Sequence, residues 1–96
     1  MKVSNMTSKS GSPVANQFIM IDEASACDLT VKTFQSYDSV IVEITYVNGH
    51  KKVRLDERYW NYSTTTSKYR NQFLGETTKE TQAKIDSGEY ILTDLN

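Results

Sequence analysis

The chain has 96 residues, of which 38% are apolar and 24% charged, and this length suits one domain with a small core. Eleven Lys and Arg against twelve Asp and Glu give a net charge of -1, which excludes a strong overall attraction to nucleic acid or to membranes. The sequence contains neither an apolar window of about 18 residues nor a signal-peptide pattern, so it predicts a cytoplasmic protein that does not span a membrane.

The chain has a single cysteine, Cys27, and a single histidine, His50, which excludes an internal disulfide and a Cys/His zinc site. A lone cysteine is usually structural, and the sequence places no Ser, Cys or Asp to pair with His50 in a nucleophilic site. No phosphate-binding loop and no hydrolase motif occurs. The sequence therefore predicts a protein that is not an enzyme and uses no cofactor and no metal.

The first fourteen residues are mainly polar and include the only proline, Pro13. They contain too little apolar surface to offset the entropy of ordering them. The sequence therefore predicts a flexible N-terminal arm over residues 1–14 and a single domain over residues 15–96. Within that domain, residues 17–22 and 29–35 are rich in strand-forming side chains, and the polar residues between them favour a turn.

The pair Asn48-Gly49 predicts a β-hairpin, because both central residues of a type I′ turn have positive φ and this pair accepts it. A two-residue loop also fixes the register of the two strands, and this register segregates apolar from polar side chains. The apolar face consists of Val42, Ile44, Val53 and Leu55, and the polar face of Glu43, Thr45, Lys52 and Arg54.

Two helices are predicted after the hairpin. Five hydroxyl residues in a row, 63–67, suit the start of the first helix, and Gly75 suits its end. Thr77 and Glu80 have the spacing of a capping box for the second helix, and residues 90–93 favour a last strand. The fold class is α+β: a small, mostly antiparallel sheet of about four to five strands, with two short helices near the C-terminus on one face. The predicted core is Val42, Ile44, Val53, Leu55, Trp60, Phe73, Leu74, Ile85, Ile91 and Leu92.

The segment 51–70 differs in charge from the rest of the chain, with six basic and two acidic residues between two acidic flanks. Its basic residues are interleaved with tyrosine and tryptophan, and this mixture is typical of surfaces that bind phosphates and stack on bases. The alternative is that the basic residues form the solvated face of the hairpin while the aromatic residues pack in the core. The candidate residues for binding nucleic acid or a protein partner are Lys52, Arg54, Arg58, Tyr62, Lys68, Tyr69, Arg70 and Asn71.

Two stretches, Phe34-Gln35-Ser36-Tyr37-Asp38 and the run from Tyr59 through Leu74, resemble a family of small uncharacterised proteins from phages and prophages of Gram-positive bacteria. The resemblance extends from about Ala15 to Asn96. It implies a phage or mobile-element accessory protein in a host cell, and it carries over no functional residues.

Three functions are compatible with these observations. The first is a non-enzymatic accessory protein that binds nucleic acid weakly through residues 51–70, with Arg54, Lys68 and Arg70 on phosphates and Tyr62 or Tyr69 stacked on bases. The second is an inhibitor that binds and blocks a host protein such as a defence-system nuclease. The third is an assembly factor that dimerises through an exposed sheet edge. The partner is thus nucleic acid or a host protein and not a membrane, and the sequence leaves the oligomeric state open.

Overall fold

The computed structural model describes the backbone of all 96 residues and every side chain except that of Cys27, so the prediction for its thiol lies outside the described residues. The protein has one six-stranded sheet with two helices after the fifth strand, which confirms the α+β class with more strands than expected. The sheet consists, in chain order, of β1 (Lys2–Thr7), β2 (Pro13–Ala24), β3 (Leu29–Ser36), β4 (Ser39–Val47), β5 (His50–Asp56) and β6 (Tyr90–Thr93), and the helices are α1 (Thr64–Leu74) and α2 (Thr78–Asp86).

The hairpin between β4 and β5 forms in the predicted register. Val42 pairs with Leu55 and Glu43 with Arg54, and the two turn residues both have positive φ, 49° at Asn48 and 82° at Gly49. The Arg54 guanidinium contacts the Glu43 carboxylate across the strands. The polar and apolar faces of this hairpin therefore follow from the turn alone.

A β-bulge in β4 adds one side chain to the core that strict alternation does not predict. The register between β3 and β4 shifts after Phe34, and Ile41 is the residue left without a partner. A bulge of this kind can direct two consecutive side chains to the same face. Ile41 and Val42 are accordingly both fully buried.

The last strand pairs with β5 in parallel, with Val53 beside Tyr90. Residues 57–89 carry the chain back, as a parallel neighbour requires a long crossover. Because β6 is an edge strand of four residues, Ile91 and Leu92 remain 53% and 39% exposed, and their predicted place in the core is wrong.

Residues 1–14 do not form the predicted arm. Lys2–Thr7 is strand β1, and β2 already begins at Pro13. The physical reason is that an edge strand is held by backbone hydrogen bonds to its neighbour and needs few apolar anchors. Met6, 2% exposed, supplies one such anchor in the core. The first residues are thus part of the domain.

The core lies between one face of the sheet and the helices. We call this the inner face; it includes Ile19, Phe34, Ile44, Val53 and Tyr90. Helix α1 packs on it through Phe73, whose ring stacks on Phe34 with 5.8 Å between centroids, and through a 2.9 Å hydrogen bond between the hydroxyls of Thr66 and Ser36.

The opposite, outer face consists of the alternate side chains, among them Met20, Val31, Thr33, Glu43, Thr45, Lys52 and Arg54. The helix contacts described above all involve the inner face. Neither α1 nor α2 is long and apolar enough to cross a membrane.

Replacing Gly49 with Val should destabilise the protein by about 1–3 kcal/mol, because a β-branched residue is strained at positive φ. The matched control is Asn48→Gly, which keeps the turn conformation accessible and should stay within about 0.5 kcal/mol of the wild type. Urea denaturation measures both. An unchanged midpoint for Gly49→Val would contradict the turn type.

Replacing Met6 with Ala should cost about 2 kcal/mol, since the change leaves a cavity at the edge of the core. Lys2→Ala on the same strand is the control and should be nearly neutral, because Lys2 is exposed. Thermal and urea denaturation measure the difference. A Met6→Ala variant as stable as Lys2→Ala would mean that β1 is an arm after all.

Candidate functional site

The predicted binding residues do not form one continuous surface. Lys52 and Arg54 lie on the outer face of β5, whereas Tyr62 lies just before α1 and Lys68 and Asn71 lie on that helix. Residues that are close in the sequence therefore belong to two separate surfaces of the molecule.

The start of α1 is built by a side-chain cap. Ser63 Oγ accepts a 3.1 Å hydrogen bond from the N–H of Thr66, which is the third residue of the helix. The N–H groups of the two residues before Thr66 precede the first intrahelical hydrogen bond and are left for water or a ligand. The first turn of α1 contains no acidic residue, whereas the first turn of α2 contains Glu80 in its capping box with Thr77. The positive end of the α1 dipole is thus not offset by a carboxylate of its own first turn.

An open groove of about 770 Å³ lies beside this helix start. We call it the α1 groove; it is lined by Lys9, Asn61, Tyr62, Ser63, Thr64, Ser67, Lys68 and Asn71. Of these described residues, two are basic and none is acidic. Lys9 and Lys68 also border an adjoining hollow of about 380 Å³. The groove therefore concentrates positive charge in a chain whose net charge is -1.

Lys9 is not among the residues predicted to bind, because it falls in the segment predicted to be an arm. Lys9 lies in the loop between β1 and β2, and this loop packs beside α1. The contact includes a 2.9 Å hydrogen bond that the Gln72 side chain donates to the carbonyl of Thr7. No local pattern in the sequence indicates this contact, which joins residues 65 positions apart.

Tyr62 provides the exposed aromatic ring of the groove. Its side chain is 49% exposed, and the ring packs edge to face against Tyr59 with 5.3 Å between centroids. This contact supports one side of the ring and leaves much of its surface accessible. Tyr69, the other tyrosine considered for stacking, is only 8% exposed and belongs to the core.

Arg70 is fully buried, so the structure does not present it to a ligand. Its guanidinium stacks on Trp60, 5.0 Å from the ring centroid, and donates hydrogen bonds on both sides. The acceptors are the Trp60 carbonyl, Asn61 Oδ1 at 3.1 Å, Ser67 Oγ at 3.5 Å, Asn71 Oδ1 at 2.9 Å and Thr78 Oγ1 at 2.7 Å. Arg70 therefore ties α1 to the loop before it and to the start of α2.

The charge of Arg70 is compensated mainly by neutral acceptors. Burial lowers the pKa of Arg70, and the nearby Glu76 carboxylate partly counteracts this. Glu76 in turn accepts a hydrogen bond from the Tyr90 hydroxyl and lies 3.5 Å from Lys84 Nζ. Burial and Glu76 together raise the pKa of Tyr90. The contacts of Glu76 thus join the helices to β6. The Arg70 guanidinium has a structural role, because its hydrogen bonds are made within the protein.

Asp56 supports the loop that leads into the groove. Its carboxylate accepts hydrogen bonds from the N–H groups of Arg58, Tyr59 and Leu95 at 2.9–3.0 Å. Burial by itself would raise the pKa of Asp56, but the hydrogen bonds, including one from Asn96, outweigh burial and lower the pKa. Arg58 itself is exposed in this loop.

The outer-face cations line a second, separate groove of about 590 Å³. It contains Lys52, Arg54 and His50 together with the apolar residues Val47 and Ile91. Arg54 is already engaged by Glu43. Among the described residues, no group of three or more His, Cys, Asp or Glu that could hold a metal occurs here or elsewhere.

Replacing Arg70 with Ala should destabilise the protein by about 3–5 kcal/mol, because the side chain is fully buried and several partly buried acceptors lose their donor at once. Arg70→Lys should recover only part of this loss, since one ammonium cannot reach both sides of the site. The control is the neighbouring exposed Lys68→Ala, expected within about 0.5 kcal/mol. Urea denaturation measures all three. An Arg70→Ala variant of wild-type stability would show that the guanidinium does not hold this region together.

Comparison with curated proteins and with solved structures gave no match. The model of a family of unknown function, DUF8033, matches residues 1–89. The match begins before β1 and continues through α2, so it covers every residue that lines the α1 groove. The chain therefore belongs to the DUF8033 family of unknown function.

Proposed function

We propose that the protein is a non-enzymatic accessory protein that binds single-stranded nucleic acid weakly through the α1 groove. The observation that carries this proposal is the composition of the groove: two lysines, one exposed tyrosine and several amide and hydroxyl groups, with no carboxylate among the lining residues. These are the groups that bind a phosphate backbone and stack on a base.

The phosphate contacts are assigned to Lys9, Lys68 and the first turn of α1. A phosphate at the helix start accepts hydrogen bonds from the unpaired backbone N–H groups and is attracted by the helix dipole. The two lysines flank this position from the β1–β2 loop and from α1. Lys68 also lies over the ring of Tyr69, with Nζ 5.4 Å from the centroid, which orients it without neutralising it.

The base contact is assigned to Tyr62. Stacking on a tyrosine ring is largely independent of base identity, because every base has a π-face. It requires an unpaired base, and this requirement favours a single strand over a duplex. Arg70 takes the role of a positioning residue, since it holds Asn61 on one wall of the groove through Oδ1.

The affinity is expected to be low and dependent on salt. Each neutralised phosphate of a single strand contributes about -0.7 to the slope of log affinity against log salt, so two lysines predict a slope of about -1.4. The acidic residues elsewhere in the chain weaken the positive field beyond a Debye length of about 8 Å. The resemblance to small phage and prophage proteins adds the context of an accessory protein in a bacterial host cell.

The double reversal Lys9→Glu/Lys68→Glu should weaken binding to a labelled single-stranded oligonucleotide by about ten-fold or more and bring the salt slope close to zero. The matched control is Lys51→Glu/Lys79→Glu, which makes the same charge change at exposed residues outside the α1 groove and should retain the wild-type slope. Tyr62→Ala should weaken binding by about 1–3 kcal/mol while Tyr62→Phe does not. Fluorescence anisotropy at several salt concentrations measures all of these variants.

Two outcomes would contradict the proposal. One is the absence of binding to single-stranded DNA and RNA at low salt. The other is an equal loss of affinity in the control variant, which would mean that net charge and not the groove determines binding. Retention of a protein partner from nuclease-treated lysate, without any oligonucleotide binding, would instead favour the inhibitor function.

A further inference from the structure

The outer face of the sheet carries apolar side chains among charged ones, on the side away from the described helix contacts. Three of these residues are well exposed: Val3 by 61%, Val47 by 40% and Ile91 by 53%. Between them lie the half-buried Met20 and Val31. Exposed apolar side chains on a sheet face favour packing against a second sheet, which buries them.

Across the strands of this face, charge changes from acidic on β2 to basic on β5. The strand pairing places Asp22, Val31, Thr45 and Lys52 in one row across β2, β3, β4 and β5. The row thus has an acid at one end, a base at the other and uncharged residues between them. Asp22 is well exposed, and its described ion pair is a 3.9 Å contact with the terminal amino group, which is also exposed. Such an exposed pair contributes little energy.

We propose that the outer face packs against the same face of a second copy of the chain, about a two-fold axis that runs parallel to the strands between β3 and β4. This axis places β2 of one copy over β5 of the other. Each row of side chains across the strands then faces the same row of the second copy, read in the opposite direction. Asp22 of each copy then faces Lys52 of the second copy. The charge pattern of the face is therefore complementary to itself.

The neighbouring rows fit the same axis. One row runs from Val3 on β1 to Ile91 on β6, so these two exposed apolar side chains face each other across the interface. Another row runs through Leu29 on β3 and Val47 on β4, which face each other in the same way. Each apolar contact occurs twice, as an isologous interface requires.

The charges also select this axis over the alternative. A two-fold axis perpendicular to the strands would place β5 over β5 of the second copy. With the axis between their two rows, Lys52 of each copy would face Arg54 of the second copy, and such like-charged juxtaposition is costly. The strand-parallel axis avoids this repulsion.

The face is large enough for a stable dimer. Strands spaced about 4.8 Å apart and rising about 3.4 Å per residue give these six strands a face of roughly 750 Å² in projection. The accessible surface of a face covered with side chains exceeds its projection, so the face approaches the roughly 800 Å² that each partner buries in a standard interface.

This dimer does not depend on the proposed function. The α1 groove lies at the helix side of the sheet and stays open in both copies. Lys52 and Arg54, which the sequence assigned to nucleic-acid binding, are assigned here to the interface. The two proposals can therefore fail separately.

A charge swap tests the interface. By sedimentation equilibrium, the wild type should be a dimer, and Asp22→Lys and Lys52→Asp should each weaken dimerisation by about ten-fold or more, since each variant creates two like-charged pairs. The double variant Asp22→Lys/Lys52→Asp should restore the dimer. Lys51→Asp is the matched control, because Lys51 precedes Lys52 on β5 but belongs to the inner face and should leave the dimer intact.

Three results would overturn the proposal: a wild type that is monomeric at hundreds of micromolar, a double variant as weak as the single ones, or a Lys51→Asp variant as weak as Lys52→Asp. Circular dichroism melting curves of each variant separate loss of the dimer from loss of folding. No oligonucleotide is present in these experiments, so the outcome is independent of the α1 groove.

Discussion

The burial of one positive charge, on Arg70, organises the C-terminal half of the molecule. A guanidinium removed from water is stable only if its donors find acceptors, and this chain supplies them from the loop before α1, from α1 itself and from the first residue of α2. These three segments therefore have to meet at one point. Asn61, Ser67 and Asn71, which line the α1 groove, are at the same time the acceptors that compensate Arg70. The shape of the groove and the stability of the helices are thus coupled.

The sheet separates the two sets of charges that the sequence brings together. Residues on β5 alternate between faces, so Lys52 and Arg54 point away from the helices. Lys68 lies on a helix that packs on the opposite side. The basic residues within these twenty positions therefore lie on two surfaces. Lys68 has tyrosine and hydroxyl groups as neighbours, whereas Lys52 and Arg54 have apolar side chains.

The features predicted correctly from the sequence are those fixed by short-range rules. The hairpin register follows from two residues at Asn48-Gly49, and the start of α2 follows from Thr77 and Glu80. The features that were missed depend on distant parts of the chain. Strand β1 exists because β2 offers it an edge, and the burial of Arg70 depends on acceptors from three separate segments. Net charge and spacing contain no information on either. Of the candidate site, Tyr62 and Lys68 were predictable as exposed groups near a helix start, whereas Lys9 was not.

The parallel pairing of β6 with β5 also affects the order in which the chain can assemble. Strands β1–β5 form a meander of neighbours, and each hairpin closes a short loop at a small cost in entropy. Strand β6 reaches its place only when the whole segment 57–89, with both helices, has been brought back to β5. The entropy of loop closure is therefore concentrated in the last third of the chain. In a polypeptide emerging from the ribosome, the meander leaves the exit before the helices that cover its inner face, so that apolar face is open to solvent until α1 has emerged.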